Sequence, residues 1–265
     1  MKVSLIQMNS GANKADNFLN STRWLSSALS DSPDVICLSE RFLYWGEDND
    51  NDPEEVSSDR INAFKIFARS NHVNVVLGSL ALQTDDPDKT TNTTLVIDRT
   101  GYIIHRYDKM YMYDVRREDL VLRESDATIP GRTVGLFELD GISMGVGICF
   151  DLRYPEYFRE LVERGAEVIF LPACFRKVTG EVAWDVLTRA RAIENQVYFC
   201  ACGQTGEEGV KARCGNTRIV SYDGRIVQNL EKDEGIVSAE LDLEQLRMFR
   251  RTFPVLEQIK SIQVK

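Results

Sequence analysis

The stretch ISMGVGICFDLRYPEYFRELVERG, residues 142–165, contains the change of hydrophobic period that decides the fold. Residues 142–148 are apolar, small or hydroxylated and carry no charge, which is typical of a strand buried on both faces. Pro155 stands where a helix begins, and the apolar residues after it recur three and four positions apart. Cys149 therefore lies near the carboxyl end of a strand, where open α/β sheets bind ligands. Whether it is a core residue or a nucleophile stays open, because unpaired cysteines are commonly buried and inert.

The composition indicates one acidic domain. Of the 265 residues, 43% are hydrophobic, which is enough for a substantial core, and no Pro/Gly/Ser-rich linker divides the chain. We therefore expect a single domain over residues 1–265. The formal net charge of -9 argues against nucleic acid or an anionic membrane as the main partner, since both attract basic surfaces.

The N-terminus and the cysteines indicate where the protein works. MKVSLIQMNSG is too short and too polar for a signal peptide, and no apolar run is long enough to cross a bilayer. The six cysteines are scattered, which favours free thiols in a reducing compartment. We expect a cytoplasmic location.

Missing motifs exclude several mechanisms. The chain has only two histidines, His72 and His105, and it lacks HExxH, a CxxC pair with zinc spacing, GxxxxGK[ST] and a complete GxGxxG. We therefore expect neither a metal nor another cofactor.

Hydrophobic period divides the rest of the chain into strands, helices and hairpins. Besides the helix after Cys149, helical spacing is found in residues 15–29, 61–71, 182–196 and the second half of 235–250. Hairpins are predicted with turns at residues 99–101, at residues 140–141 and within residues 216–230. Helices that alternate with strands indicate a layered α/β protein, and the hairpins make its sheets mixed. This order favours two sheets packed face to face with helices outside.

Three side chains of complementary chemistry each follow a predicted strand: Glu40, Lys109 and Cys149. If those strands are neighbours, the three groups meet at one edge of the sheets. A nearby cation lowers the pKa of a thiol, and a buried carboxylate of raised pKa can take the thiol proton. Lysine also stabilises the oxyanion that forms when sulfur attacks a carbonyl. Taken singly, each residue has an ordinary alternative as a solvated carboxylate, a surface lysine or a core thiol.

The segments that carry these residues resemble a known family. DVICLSE, YDKMYMYD and GVGICFDLRYPE resemble, in order and spacing, the three motifs of the nitrilase superfamily, the carbon–nitrogen hydrolases. The likeness covers nearly the whole chain and includes LRESDATIPG, GAEVIFLPACF, TGEVAWDVLTRARAIENQVYF and LRMFRRTFPVL. The resemblance implies a four-layer αββα sandwich of two mixed sheets, which agrees with the two-sheet expectation.

The resemblance also implies roles by position. Glu40 is expected to be the general base, Lys109 the oxyanion stabiliser and Cys149 the nucleophile. Glu124, in LRESDATIPG, matches a second glutamate that often accompanies this triad and positions substrate and lysine. In the implied reaction Cys149 attacks an amide carbon, and Lys109 with the backbone N–H of Phe150 holds the oxyanion. Ammonia leaves, and water hydrolyses the resulting thioester.

The substrate class follows from a narrower likeness. CFDLRYPE, RARAIENQ and LRMFRRTFPV most resemble the branch that contains ω-amidase and deaminated glutathione amidase, which hydrolyse terminal amides of small carboxylates. A substrate carboxylate in a closed pocket requires a cation. Arg153, Arg176 and Lys177 follow the two strands expected to border the pocket, and the choice among them stays open. Phe175 is a candidate for an apolar wall, and Tyr111 occupies a place where relatives often carry His.

Other functions stay open at this point. A cysteine hydrolase with His105 or His72 as its base would not need Lys109. A nitrile hydrolase or an N-carbamoyl amine hydrolase would keep the triad and differ only in its pocket. A non-catalytic relative would bind a metabolite or a partner without turnover.

The resemblance implies partners as well. Members of the family commonly form dimers and larger assemblies, through faces that bear the segments after the nucleophile and the C-terminal tail. We expect a small-molecule amide as substrate and a homodimer or larger homo-oligomer, with apolar residues in the tail, residues 251–265, suited to such a contact.

Overall fold

The computed structural model describes residues 1–46, 52–117, 120–206 and 212–259, so the end of the tail, residues 260–265, lies outside the described residues. Within these ranges the strands are β1 (Lys2–Gln7), β2 (Val35–Leu38), β3 (Asn74–Gln83), β4 (Thr90–Ile97), β5 (Ile103–Asp108), β6 (Asp114–Arg117), β7 (Leu120–Arg123), β8 (Gly135–Leu139), β9 (Ile142–Val146), β10 (Val168–Ala173), β11 (Tyr198–Gly203), β12 (Arg218–Val220), β13 (Ile226–Asn229) and β14 (Gly235–Glu240). The helices are α1 (Lys14–Ala28), α2 (Asp59–Asn71), α3 (Pro155–Glu163), α4 (Lys177–Asn195) and α5 (Leu243–Thr252). Over the same ranges, no helix combines the length and the apolar character needed to span a membrane.

Two six-stranded mixed sheets form the body of the molecule. The first has the order β14-β1-β2-β3-β4-β5, with β1, β2 and β3 parallel and the outer strands antiparallel. The second has the order β13-β12-β11-β10-β9-β8, with β9, β10 and β11 parallel and the outer strands antiparallel. The mixed sheets predicted from the hairpins are confirmed.

Alternation of side chains along the strands builds four layers. In β2, Val35 and Cys37 pack in the core between the sheets, while Ile36 and Leu38 pack with α1 and α2. The outer face of the second sheet is covered by α3 and α4, which share their core with the strands through residues such as Phe158. The fold is therefore the αββα sandwich that the resemblance implied.

The change of period at Cys149 corresponds to a real boundary in the structure. Strand β9 ends at Val146, and a 3-10 turn, Cys149–Arg153, connects it to α3. Pro155 is the first residue of that helix, where its missing N–H costs nothing. The nucleophile candidate thus lies on a tight turn between a buried strand and a helix.

The small sheet formed by β6 and β7 was not predicted from the sequence. Each of its strands has only four residues, and charged side chains interrupt the apolar alternation that identifies a strand. The two strands pair only with each other among the described strands. Their antiparallel pairing places Asp114 opposite Arg123. Glu124, which follows Arg123, therefore lies beside Tyr113, which precedes Asp114.

Helix α4 begins five residues earlier than the predicted range of 182–196. Gly180 is a poor helix former, so local propensity disfavours this first turn. In the structure the glycine allows the ring of Phe175 to lie against the helix, because a Cβ at this position would be 2.4 Å from Phe175 Cδ1. Tertiary packing therefore outweighs propensity in this segment.

Candidate active site

Glu40 is positioned by the end of β2. Just beyond Leu38 the chain passes so close to Gly78 of β3 that a Cβ there would lie 1.9 Å from the carbonyl oxygen of Ser39. Glycine is therefore required at this crossing. Gln204 Nε2 donates to the backbone carbonyl of Glu40 at 2.6 Å, and the Glu40 residue is 3% exposed.

Both carboxylate oxygens of Glu40 accept hydrogen bonds. Oε1 accepts from Asn92 Nδ2 at 2.9 Å and from Lys109 Nζ at 3.3 Å. Oε2 accepts the backbone N–H of Cys174 at 2.7 Å. Because Cys174 directly follows β10 of the second sheet, the carboxylate links the ends of the two sheets.

Lys109 follows β5 and is 2% exposed. Its ammonium donates to Glu124 Oε2 at 2.8 Å and to Glu40 Oε1 at 3.3 Å. Burial acts to lower the pKa of Lys109, but the charges of Glu124 and Glu40 outweigh burial and raise that pKa above its usual value. The side chain therefore stays cationic at neutral pH.

Glu124 supplies a second carboxylate to this cluster. Its Oε2 accepts the backbone N–H of Tyr113 at 2.7 Å, which the pairing of β6 with β7 makes possible. Burial acts to raise the pKa of Glu124, but the Lys109 charge and the hydrogen bonds lower that pKa below its usual value. Glu124 is therefore an anion that balances the charge of Lys109.

Cys149 lies in the left-handed backbone region, with a φ of 47°. For a residue other than glycine this conformation costs about 1–3 kcal/mol and persists where the surroundings enforce it. Burial and then the charge of Glu40 raise the pKa of the Cys149 thiol well above its usual value, although Lys109 opposes them. The resting thiol is protonated, so it needs a base before it can act as a nucleophile.

One cavity of about 90 Å³ brings Glu40, Lys109, Glu124 and Cys149 together. The four side chains come from the first sheet, the second sheet and the small β6–β7 sheet. Four arginines also line the cavity: Arg41, Arg123, Arg153 and Arg176. The arrangement combines a protonated thiol, two buried carboxylates, a buried cation and an arginine-rich wall.

Four of the predicted substrate-binding residues line the cavity: Phe150, Arg153, Phe175 and Arg176. The guanidinium carbon of Arg153 lies 5.7 Å from the Phe150 ring centre and 5.5 Å from that of Phe175. Arg153 Nη2 also donates to the carbonyl of Thr179 at 2.7 Å. The guanidinium of Arg176 is buried and lies 5.9 Å from the ring centre of Trp45.

Two other candidates lie away from the cavity wall. Tyr111 stacks on Tyr154 with ring centres 3.6 Å apart, and it does not line the cavity. Lys177 is exposed at the first position of α4 and does not line the cavity either. The structure therefore leaves Arg153 and Arg176 as the cations at the pocket among the three that the sequence singled out.

Neither histidine is placed to act as a base. His105 stacks on Phe137 with ring centres 5.4 Å apart, and His72 is exposed at the end of α2. Of the described residues that line the cavity, none is a histidine. The geometry favours Glu40 over the histidine alternative.

Asn92 of β4 belongs to the site, although the sequence analysis did not identify it. Its side chain is buried, and its Nδ2 donates to Glu40 at 2.9 Å and to Glu124 at 3.3 Å. The predicted hairpin gave only part of the signal, because an unpredicted β-bulge between Val96 and Ile97 shifts the register and pairs Thr93 with Asp108. One further step along the same register puts Asn92 opposite Lys109, and the Lys109 N–H donates to the Asn92 carbonyl at 2.9 Å.

Comparison with known proteins agrees with this fold. The family described as Carbon-nitrogen hydrolase matches residues 2–251. The chain therefore belongs to the carbon–nitrogen hydrolases of the nitrilase superfamily.

Individual relatives cover almost the full length of the chain. A deaminated glutathione amidase of Yersinia enterocolitica is 32% identical over 96% of this chain and 91% of its own length. A 2-oxoglutaramate amidase of Bacillus subtilis is 31% identical over 98% of this chain and 97% of its own length. The crystal structure of Saccharomyces cerevisiae Nit3, a member of branch 10 of the nitrilase superfamily, superposes with a TM-score of 0.87 at 26% identity, covering 97% of this chain and 96% of that chain.

The substitution Lys109→Met tests the buried ion cluster. It leaves Glu40 and Glu124 buried without their shared cation, so we expect a loss of about 3–5 kcal/mol in the free energy of unfolding at pH 7. The Lys109 charge holds the pKa of Glu124 low, so without this cation the folded-state pKa of Glu124 rises and the loss shrinks as pH falls toward 5. Urea denaturation at both pH values measures it.

Lys177→Met is the matched control, because Lys177 is exposed and lies outside the cavity. Its free energy of unfolding should stay within about 0.5 kcal/mol of the wild-type value. A Lys109→Met protein that is as stable as this control at pH 7 would contradict the ion cluster described above.

Proposed function

We propose that the protein is an amidase that works without a cofactor and releases ammonia from small carboxylate-bearing amides through a thioester on Cys149. The observation that carries the proposal is the convergence of Glu40, Lys109, Glu124 and Cys149 on one cavity. Similarity over nearly the full length to a deaminated glutathione amidase and a 2-oxoglutaramate amidase supports the reaction class.

The electrostatics of the site support a proton transfer that accompanies the attack. A free thiolate would add an anion to a buried site that already holds two carboxylates and one ammonium. In the proposed step Glu40 takes the thiol proton as the Cys149 sulfur bonds to the amide carbon. The carbonyl electrons move onto oxygen, where Lys109 and the N–H of Phe150 stabilise the developing charge.

The second half of the reaction returns each group to its resting state. The C–N bond breaks, Glu40 gives its proton to the leaving nitrogen, and ammonia departs from the thioester. Glu40 then takes a proton from water as the water oxygen attacks the thioester carbon. The C–S bond breaks, Glu40 passes the proton from water to the Cys149 sulfur, and the acid leaves.

Ammonia release from a panel of substrates tests this proposal. The panel contains α-ketoglutaramate, deaminated glutathione, simple aliphatic amides, a nitrile and an N-carbamoyl amine. We expect one or more amides to release ammonia with the wild-type protein, and Cys149→Ala to lower that rate by at least about 10⁴-fold. Cys200→Ala is the matched control, since Cys200 is a buried thiol of β11 that does not line the cavity.

The same panel separates the alternatives. Turnover of the nitrile or the carbamoyl compound alone would place the protein in another branch with the same triad. Binding of an amide without turnover, measured by calorimetry, would indicate a non-catalytic relative. Full-rate turnover by Cys149→Ala would contradict the proposed nucleophile.

The wall of the cavity supports a substrate with a carboxylate. Four arginines line it, while the acidic residues among the described lining are Glu40 and Glu124, both adjacent to Lys109. Of these four arginines Arg176 is the most buried, at 7% exposed, and an ion pair is stronger where water is excluded. We assign the substrate carboxylate to Arg176, because a guanidinium can bind a carboxylate through two parallel hydrogen bonds.

The substitution Arg176→Gln tests this assignment. It should raise the KM for a carboxylate-bearing amide by about 10–100-fold, which corresponds to the free energy of a hydrogen bond to a charged group. It should change kcat/KM for a neutral aliphatic amide far less. Lys177→Gln, at the neighbouring exposed position, should change neither. An equal loss on both classes of amide would show that Arg176 supports the fold of the pocket instead of binding the carboxylate.

We also propose that the protein works as a homodimer. Helix α4 exposes apolar side chains at four-residue spacing, with Val178 54%, Val182 79% and Val186 57% exposed. A stripe of this kind on a helix is suited to a two-fold contact in which the same face of a second copy covers it. The first turn of α4 also carries Thr179 to the cavity wall, so such a contact would support the site.

Sedimentation of the substitution Val182→Glu tests the dimer. In a two-fold contact centred on residue 182, the new carboxylate of one copy would face that of the other, and the two like charges repel. We therefore expect a dimer for the wild-type protein and a monomer for this variant. Leu19→Glu is the matched control, because Leu19 is 56% exposed on α1 in the opposite layer. A wild-type monomer would contradict the proposal.

A cytoplasmic location is likewise proposed. All six cysteines are free thiols, which suits a reducing compartment. Cell fractionation tests this location.

A further inference from the structure

Asp151 is a buried carboxylate that the proposed mechanism leaves without a role. It lies in the turn Cys149–Arg153, and 0% of the residue is exposed. Carboxylates are seldom buried in this way unless hydrogen bonds hold them. Asp151 does not line the cavity, so it does not touch a substrate bound there.

Three donors from separate positions converge on this carboxylate. Oδ2 accepts the O–H of Tyr107 and the N–H of Ile148, each at 2.7 Å. Oδ1 accepts the N–H of Tyr111 at 3.0 Å. An ionised carboxylate is an acceptor at every position, which makes it suited to several donors at once.

Two of these donors flank Lys109 along the chain. Tyr107 lies two residues before Lys109, at the end of β5, and Tyr111 lies two residues after it. Asp151 therefore holds the side chain of Tyr107 before Lys109 and the backbone of Tyr111 after it.

The third donor belongs to the nucleophile turn. Ile148 directly precedes Cys149, and its bond to Asp151 closes the turn in which Cys149 has its left-handed φ of 47°. A single carboxylate therefore ties the chain around Lys109 to the turn that carries Cys149.

We propose that Asp151 is a positioning residue that sets the distance between the Lys109 ammonium and the Cys149 sulfur. The inference rests on the proposed function, in which both groups act on the same carbonyl. Small displacements of a group that stabilises a transition state lower the rate steeply. Asp151 thus acts on the reaction through Lys109 and Cys149.

The ionised form of Asp151 is the one that accepts all three bonds. Burial raises the pKa of Asp151 to about 6, although its hydrogen bonds with Ile148 and Tyr107 and the charge of Lys109 oppose that shift. Tyr157 of α3 also faces it, and the pKa of that phenol is raised well above its usual value by burial and by the charge of Asp151, so it stays neutral. Assays are therefore run at pH 8, where Asp151 is ionised in the wild-type protein and in the variants that keep it.

The substitution Asp151→Asn removes the clamp with little change in shape. An amide cannot accept at both ends, so one of the three donors faces an N–H. We expect kcat for the best amide to fall roughly 100-fold, with KM within about threefold of the wild-type value, because substrate binding is left in place. Tyr107→Phe removes one bond only and should lower kcat by roughly 3–10-fold.

Glu167→Gln is the matched control. Glu167 is also a nearly buried carboxylate, with two hydrogen bonds from Arg247 at 2.7 Å, and it does not line the cavity. Its kcat should stay within about twofold of the wild-type value even where its stability falls. Urea denaturation of all variants gives the folded fraction by which each rate is corrected.

A corrected kcat for Asp151→Asn within threefold of the wild-type value would overturn the inference, as would a KM that rises as much as kcat falls. If Asp151→Asn does not fold, the Tyr107→Phe result decides in the same way. If the wild-type protein hydrolyses no amide, the proposed function fails, and alkylation of Cys149 by iodoacetamide at pH 9 then decides the inference alone. Displacement of Lys109 raises the thiol pKa, so Asp151→Asn should be alkylated at least fivefold more slowly than Glu167→Gln, and an equal or faster rate overturns the inference.

Discussion

The ammonium of Lys109, held between the carboxylates of Glu40 and Glu124, is the interaction on which the site depends. Removing three charges from water is costly, and their mutual attraction offsets that cost only when the geometry is good and the remaining hydrogen bonds are made. Asn92 donates to both carboxylates. Each carboxylate also accepts one backbone N–H, from Tyr113 at Glu124 and from Cys174 at Glu40. The cluster therefore constrains the strand ends that carry it to a narrow range of positions.

The αββα sandwich provides that constraint because each of its two sheets has parallel strands at its centre. Parallel strands at the centre of each sheet end at the same edge, so β2 delivers Glu40 and β10 delivers the N–H of Cys174 to one place. Gly78 makes the approach of β3 to this edge possible. The cavity lies where the two sheets meet. The first sheet contributes Glu40 and Lys109, and the second contributes Cys149.

The sequence predicted those parts of the site that depend on local pattern. Glu40, Lys109 and Cys149 could be placed at strand ends because buried strands and hairpins have a clear hydrophobic period. The position of Glu124 beside Lys109 depends on the pairing of two charged four-residue strands, which that period does not reveal. Arg153 was one of three candidate cations in the sequence, and its bond to Thr179 follows from a helix start that packing, not propensity, decides.

The long-range contacts of single polar residues could not be predicted from the sequence either. Asn92 looks like an ordinary polar residue of a strand until the hairpin register is extended to Lys109. Tyr111 was expected at the pocket because relatives often carry His at this position, whereas its ring stacks on Tyr154. Both outcomes depend on tertiary contacts that one sequence does not display.

The raised pKa of the Cys149 thiol affects its reactivity toward oxidants and electrophiles. Peroxides and electrophiles react with thiolates far faster than with thiols, so a buried and protonated cysteine is a poor target for them. Burial and the charge of Glu40, the base of the proposed reaction, together keep the thiol protonated at rest. If Cys149 is the nucleophile as proposed, the carboxylate that activates the sulfur also protects it from oxidation at rest.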